Sequence, residues 1–264
     1  MAEASRDRII EGLEACWASL DGLLGGLAAD EWRHPSLCPD WAVHGVVTHL
    51  AAVESMLSGW MPESAETPLP FDRVAAFARE AGAWDGDVLL ARYRELIDAR
   101  RAQLAATSED AFAAPAMTPA GPGTYGRFMT MRTFDFWVHE QDIRVPLDRP
   151  GHQDGPAAEL TIDEIERALG YIVGKGIGLP DGRSIAFHLT GPVARDLYAA
   201  VDGRARVVEG LAAPDVEVTT DSLTFSLLAC GRIDPQAAID DGRVRWTGDG
   251  EWAERAVRGL RFTR

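Results

Sequence analysis

The hydrophobic periodicity of this chain changes at residues 147–156, LDRPGHQDGP, and that change limits what it can fold into. Before this stretch, apolar residues recur every three or four positions over segments long enough for several helical turns. After it they come in short runs of strand-like composition. A segment rich in Pro, Gly and Asp supports neither period and reads as a linker. The expectation for these 264 residues is two domains, 1–146 and 157–264.

In the first part, residues 5–27 place Ile9, Leu13, Trp17, Leu20 and Leu24 on one helical face. Residues 30–39, DEWRHPSLCP, hold two prolines and no period, and read as a loop. A second helix is expected from Asp40, whose carboxylate can cap the first turn, to about Trp60. A third helical region covers 71–106 with a break near Gly82 to Gly86, and residues 114–126 read as a loop. A fourth helix runs from Arg127 to about Val145, before Pro146. Four long helices joined by loops read as a bundle. In the second part, helices are expected at 160–173, 222–229 and 251–260. The runs SIAFHLTG, VARDLYAAVD, RARVVEG, VEVTTD and VRWTGD lie among them, a pattern of a small α+β domain.

The formal net charge is −15, Lys175 is the only lysine, and no basic run occurs. Nucleic acid and anionic membrane surfaces both call for clustered Lys and Arg, so neither is an expected partner. The acid excess serves solubility. No stretch reaches the roughly 20 apolar residues of a membrane span. The opening MAEASRDRIIEGLE lacks the apolar core of a signal peptide, so a cytoplasmic location is expected. A single lysine beside abundant Ala, Gly and Arg fits a GC-rich bacterial genome. Cys16, Cys38 and Cys230 form no CxxC pair, which excludes a zinc knuckle; a metal site would have to use His and carboxylates.

The fourth helix carries such residues. Asp135 and His139 are four positions apart, on one face of a helix, within the apolar run FDFWVH. A carboxylate and an imidazole one turn apart can reach the same ion, as in metal-binding bundles. They can equally form a hydrogen bond within the helix, and spacing leaves both readings open. The best third ligand is His49, whose neighbours Val46, Val47, Leu50 and Val53 turn it toward the core face of the second helix. Two His and one carboxylate leave a coordination position open, suiting catalytic zinc or non-haem iron. Arg144 and Asp142 are expected near the end of the fourth helix, as a site for a carboxylate or as a surface pair. Arg232 is expected either to reach a dicarboxylate substrate across the domain interface or to serve as a turn arginine. His44 reads as surface or hydrogen-bonded, and His34, His152 and His188 as structural. Cys38 reads as packing, and Trp32, Trp41 and Trp137 as core.

The string WRHPSLCPDWAVHGVVTHLAAVE resembles the opening signature of the mycothiol-dependent maleylpyruvate isomerase family, and FDFWVHEQDIR resembles its second signature. LACGRIDP and VRWTGD resemble parts of that family's sterol-carrier-like C-terminal domain. The resemblance implies an α+β two-domain chain: a DinB-like four-helix bundle followed by a small sterol-carrier-like domain. It implies that His49, Asp135 and His139 hold a divalent metal, zinc foremost. Mycothiol, the low-molecular-weight thiol of actinobacteria, would be co-substrate for cis–trans isomerisation or thiol S-transfer on a small electrophile. The family's isomerase is expected to carry Glu where this chain has Asp135, which draws an ion toward the fourth helix and leaves substrate and metal open. Two other classes stand beside this one. One is a non-catalytic binder of apolar ligands with a structural metal, and the other is a metal-dependent hydrolase or iron-based oxidase on the same bundle. Oligomeric state is not readable from the sequence.

Overall fold

The computed structural model describes residues 3–263. The chain divides into two compact units, the first ending at His152 and the second beginning at Gln153. The first unit is helical and the second is built on a sheet, giving a two-domain α+β chain.

Helix α1 (Arg6–Gly25) starts at Ser5, whose hydroxyl accepts from the Arg8 amide and satisfies one of the unpaired donors of the first turn. Its apolar stripe of Ile9, Leu13, Trp17, Leu20 and Leu24 is buried, as its spacing predicts. Helix α2 (Val43–Leu57) begins three residues later than expected, and Asp40 does not cap it. Asp40 sits instead in the left-handed region, at φ 67°, inside a closed loop. The Ser36 hydroxyl donates to the Trp41 carbonyl (2.8 Å) and accepts from the Cys38 amide (3.1 Å). The Val43 amide donates to the His34 carbonyl (3.0 Å), so helical geometry starts only after this loop has closed.

The expected third helix is two, α3 (Phe71–Ala81) and α4 (Gly86–Ala106), parted at the predicted glycine break. A one-turn helix, α5 (Glu109–Ala113), follows. The stretch 114–126 is not the plain loop its composition suggests. It holds a hairpin of β1 (Pro115–Thr118) and β2 (Gly121–Thr124). Gly121 takes φ 104° at the turn, and Thr118 Oγ1 donates to its carbonyl (2.7 Å). Arms of four residues rich in Pro and Gly carry too little alternation to register as strands. Helix α6 (Tyr125–Arg144) is capped by Thr124. The bundle is α1, α2, α4 and α6, with α3 packed along α2.

In the second unit, α7 (Gly155–Tyr171) runs into a π-helical turn at 172–177. Then come β3 (Ser184–Thr190), β4 (Arg195–Asp202), β5 (Arg204–Val208), β6 (Val216–Asp221), α8 (Ser222–Ala229), α9 (Pro235–Asp240), β7 (Val244–Gly248) and α10 (Gly250–Arg258). The sheet order is β5-β4-β3-β6-β7, with β3 and β6 parallel and the other neighbours antiparallel. The six-residue α9 is too short to show a helical period, and no periodicity argument anticipates it. Gly248 closes β7 at φ 84°, where an added Cβ would lie 2.3 Å from the Asp215 carbonyl oxygen. Gly248→Ala is therefore expected to cost about 1–3 kcal/mol, measured by urea denaturation. Among the described residues, no helix is long and apolar enough to cross a membrane.

Candidate metal centre

Helix α6 takes an unusual number of polar side chains into the interior: Arg132, Thr133, His139, Glu140, Gln141 and Asp142 are all buried. Buried polar groups need partners, and buried charges need counter-charges. Two networks supply them, and one frames a cluster of three ligand-type residues.

His49 on α2 and Asp135 and His139 on α6 place one ligand atom each within 4.8 Å of the others. His49 Nε2 lies 3.4 Å from Asp135 Oδ2, and His139 Nε2 lies 3.5 Å from Asp135 Oδ1. The two imidazole centroids are 4.9 Å apart. Tetrahedral zinc with bonds of about 2.0–2.1 Å separates its ligands by roughly 3.3 Å, so these spacings are compatible with a cation held between the three side chains. The His49 and Asp135 side chains are 28% and 30% exposed while His139 is 8% exposed, so the cluster is anchored in the core and open at its rim.

Behind these three side chains lie charges that hold them. Arg132 donates to Asp135 Oδ2. Burial alone, the largest single influence, would raise the Asp135 carboxyl, but Arg132, His49 and His139 together outweigh it. The carboxyl is held well below the usual carboxylate range. Arg132 also donates to Glu54 Oε1 from Nε (3.1 Å) and Nη2 (2.8 Å). Arg100 Nε donates to the other Glu54 oxygen (2.8 Å), and the Arg100 guanidinium extends to Gln103 Oε1 (2.7 Å). Arg100, Glu54 and Arg132 are all fully buried, so Asp135 ends a buried chain of alternating charge.

His139 is oriented from its other nitrogen. Its Nδ1 lies 2.8 Å from Asp142 Oδ2, leaving Nε2 toward Asp135 and His49, the outer-shell carboxylate arrangement common to metal-binding histidines. Asp142 is thus no surface residue; it is wholly buried beneath the cluster. Asp142→Asn is expected to weaken divalent-ion binding about 10–100-fold, read by isothermal titration of metal-stripped protein.

The structure corrects other expectations. Trp41 is not core: it is 37% exposed, and its indole centroid lies 5.2 Å from His49 and 6.0 Å from His139, forming an aromatic wall beside them. Trp32 and Trp137 are buried as expected. Arg144 is neither a surface residue nor turned to the cluster. It donates to Glu140 Oε1 (2.6 Å) and Ser19 Oγ (2.9 Å), and Glu140 Oε2 meets His152 Nδ1 at 2.7 Å. This second network neutralises Glu140, which is why Arg144 is committed elsewhere. Arg232 lies in the second unit, where its Nη1 donates to the Cys230 carbonyl (3.0 Å). His44 Nε2 pairs with the Trp84 carbonyl (3.0 Å). The sequence reading missed Glu54, Arg100 and Arg132. Their only signal was a charge on an otherwise apolar helical stripe, plus the three-residue spacing of Arg132 and Asp135.

The model of the N-terminal domain of mycothiol maleylpyruvate isomerase matches residues 13–144, and that of the C-terminal domain matches residues 159–255. The chain belongs to the mycothiol maleylpyruvate isomerase family. His49, Asp135 and His139 fall inside the first match and Arg232 inside the second. Among solved structures, a mycothiol-dependent maleylpyruvate isomerase is similar at a TM-score of 0.61 and 17% identity, over 88% of this chain and 93% of that one. A point-mutant form of a mycothiol-dependent maleylpyruvate isomerase matches at 0.59 with the same identity and coverage. These likenesses show the family fold. Sterol carrier protein 2 from Yarrowia lipolytica matches 39% of this chain at a TM-score of 0.31 and 17% identity, over 88% of its own length. No curated protein matches the chain.

Proposed function

We propose that this family member is a metal-dependent isomerase that uses mycothiol as co-substrate on a small electrophilic substrate, with His49, Asp135 and His139 holding a divalent ion, zinc foremost. The observation that carries the reading is the convergence of these three side chains from two helices, with His49 and Asp135 part-exposed at the rim. A structural ion would be closed off by four protein ligands, whereas this donor set leaves room for an exogenous one. The chemistry a divalent ion supplies there is Lewis acidity, favouring the thiolate of a thiol whose free pKa is about 8.5 for reversible addition to an electron-poor double bond.

The chain's own residues do the rest. Asp142 holds the His139 ring so that Nε2 faces the site. Arg132 keeps Asp135 ionised and directs one of its oxygens away from the His139 side. Trp41 offers an apolar face beside both imidazoles, which limits water and suits a flat conjugated substrate.

The test is cis–trans isomerisation of maleylpyruvate by purified protein with mycothiol. Many turnovers per thiol are expected, because isomerisation returns the thiol, whereas one thiol consumed per product would mean S-transfer. Activity is expected to vanish without thiol, after chelation and in His49→Ala. Retention in all three sinks the proposal. Arg232→Ala in the same assay reads whether that guanidinium serves the substrate, through KM.

A further inference from the structure

A second ligand set adjoins the first. Cys38 lies in the loop that Ser36 closes, and the Leu37 amide donates to the Asp142 carbonyl (3.0 Å), fastening that loop to the end of α6. The result brings a sulfur, a His139 ring nitrogen and an Asp142 carboxylate oxygen within 4.8 Å of one another. None of the three cysteines is in a disulfide, and Cys16 and Cys230 are fully buried while Cys38 is part-exposed.

We infer that Cys38, Asp142 and the Nδ1 side of His139 form an alternative cation position, selective for thiophilic ions, that competes with the first position for His139. The donors decide the selectivity. Sulfur, nitrogen and oxygen make a softer set than the two imidazoles and carboxylate of the first position, and thiolate favours soft ions such as Cd²⁺ and Cu⁺ over Mg²⁺ or Mn²⁺. The competition follows from the ring. A neutral imidazole has one lone pair: with the proton on Nδ1, shared with Asp142, Nε2 is the ligand; with the proton on Nε2, Nδ1 is. One ion is therefore bound at a time. On entry the Cys38 S–H bond breaks, a sulfur–metal bond forms and the proton leaves to solvent, while Asp142 exchanges its hydrogen bond to His139 for the ion. A thiophilic ion held here takes His139 from its partners Asp135 and His49 and disables that site.

The experiment is a Cd²⁺ titration of the metal-stripped full chain, following bound Cd²⁺ and the ultraviolet thiolate-to-metal charge-transfer band. We expect one Cd²⁺ per chain with the band present. Cys38→Ser should remove the band and weaken Cd²⁺ binding at least about tenfold, while Cys16→Ser, Cys230→Ser and His49→Ala keep the band. Cd²⁺ bound without the band, or a band that survives Cys38→Ser, overturns the inference. Iodoacetamide labelling of the wild type supplies a reading free of any substitution. Cd²⁺ should protect Cys38, and undiminished labelling at saturating Cd²⁺ overturns the inference as well. The thiol-enzyme proposal is read from activity without thiol, after chelation and in His49→Ala, and this one from Cys38, so the two fail separately.

Discussion

His139→Ala is expected to leave a folded protein that holds no divalent ion. Wild-type protein, purified without added metal and measured by elemental analysis, should carry about one ion per chain, and the variant only traces. The effect should exceed the roughly 10–100-fold that outer-shell changes cost, because Nε2 of His139 is proposed as a ligand atom itself, and His139 is the most deeply buried of the three side chains. Part of the loss will be structural. Removing the imidazole costs the buried Asp142 carboxylate its bond to Nδ1, at about 1.5–3 kcal/mol, so urea denaturation must accompany the metal measurement. His49→Ala separates the two effects: its side chain is part-exposed, so metal should go with little loss of stability. An ion retained at wild-type stoichiometry in both variants would show that His49 and His139 do not hold it.

Glu54→Ala should be the most damaging single change to the bundle. Glu54 is the one carboxylate between two buried guanidiniums, Arg100 on one oxygen and Arg132 on the other. Its removal leaves buried positive charge uncompensated, a loss of about 3–5 kcal/mol, against total stabilities of about 5–15 kcal/mol. The damage should reach the site. Arg132 would be left to Asp135 alone, and the tightened pair would resist giving that carboxylate to a metal, so affinity should fall as well. The checks are urea denaturation and metal titration of the surviving folded protein. Replacing Arg100, Glu54 and Arg132 together by apolar residues tests the cause. Stability should largely return, because no charge is left buried alone, yet metal binding should stay weakened, because Asp135 has lost the guanidinium that orients it and the largest of the charges that favour its ionised form. Wild-type stability in Glu54→Ala would show that the triad is not holding the bundle together.

How much of this was legible beforehand depends on the range of the forces involved. The long helices were readable because an apolar stripe at helical spacing is a local property: Ile9 to Leu24 announce α1 without reference to any other segment. Asp135 and His139 were readable as a pair for the same reason, since four residues on a helix return to the same face. His49 could be nominated from its apolar neighbours, but its distance of 3.4 Å from Asp135 belongs to the packing of α2 on α6. Asp40 shows the opposite case. It is expected as the cap and does not serve as one: hydrogen bonds through Ser36 close the loop around it, and the helix starts at Val43.

Composition and local pattern alone settled that an acidic chain has a helical first half, a mixed second half and an imidazole–carboxylate pair in an apolar helix. These follow from side-chain chemistry and from periods of two and 3.6 residues. Only tertiary structure decided which charges stand behind that pair. Glu54, Arg100 and Arg132 are scattered over 78 residues, and nothing in their separate surroundings says that they neutralise one another. The same holds for Trp41, which any hydrophobicity argument buries but which packs beside His49 and His139 because the 34–41 loop is fastened to α6. Desolvation makes an unpaired buried charge costly, so such partners must exist; where they come from is fixed by the way the helices pack, which no local pattern encodes.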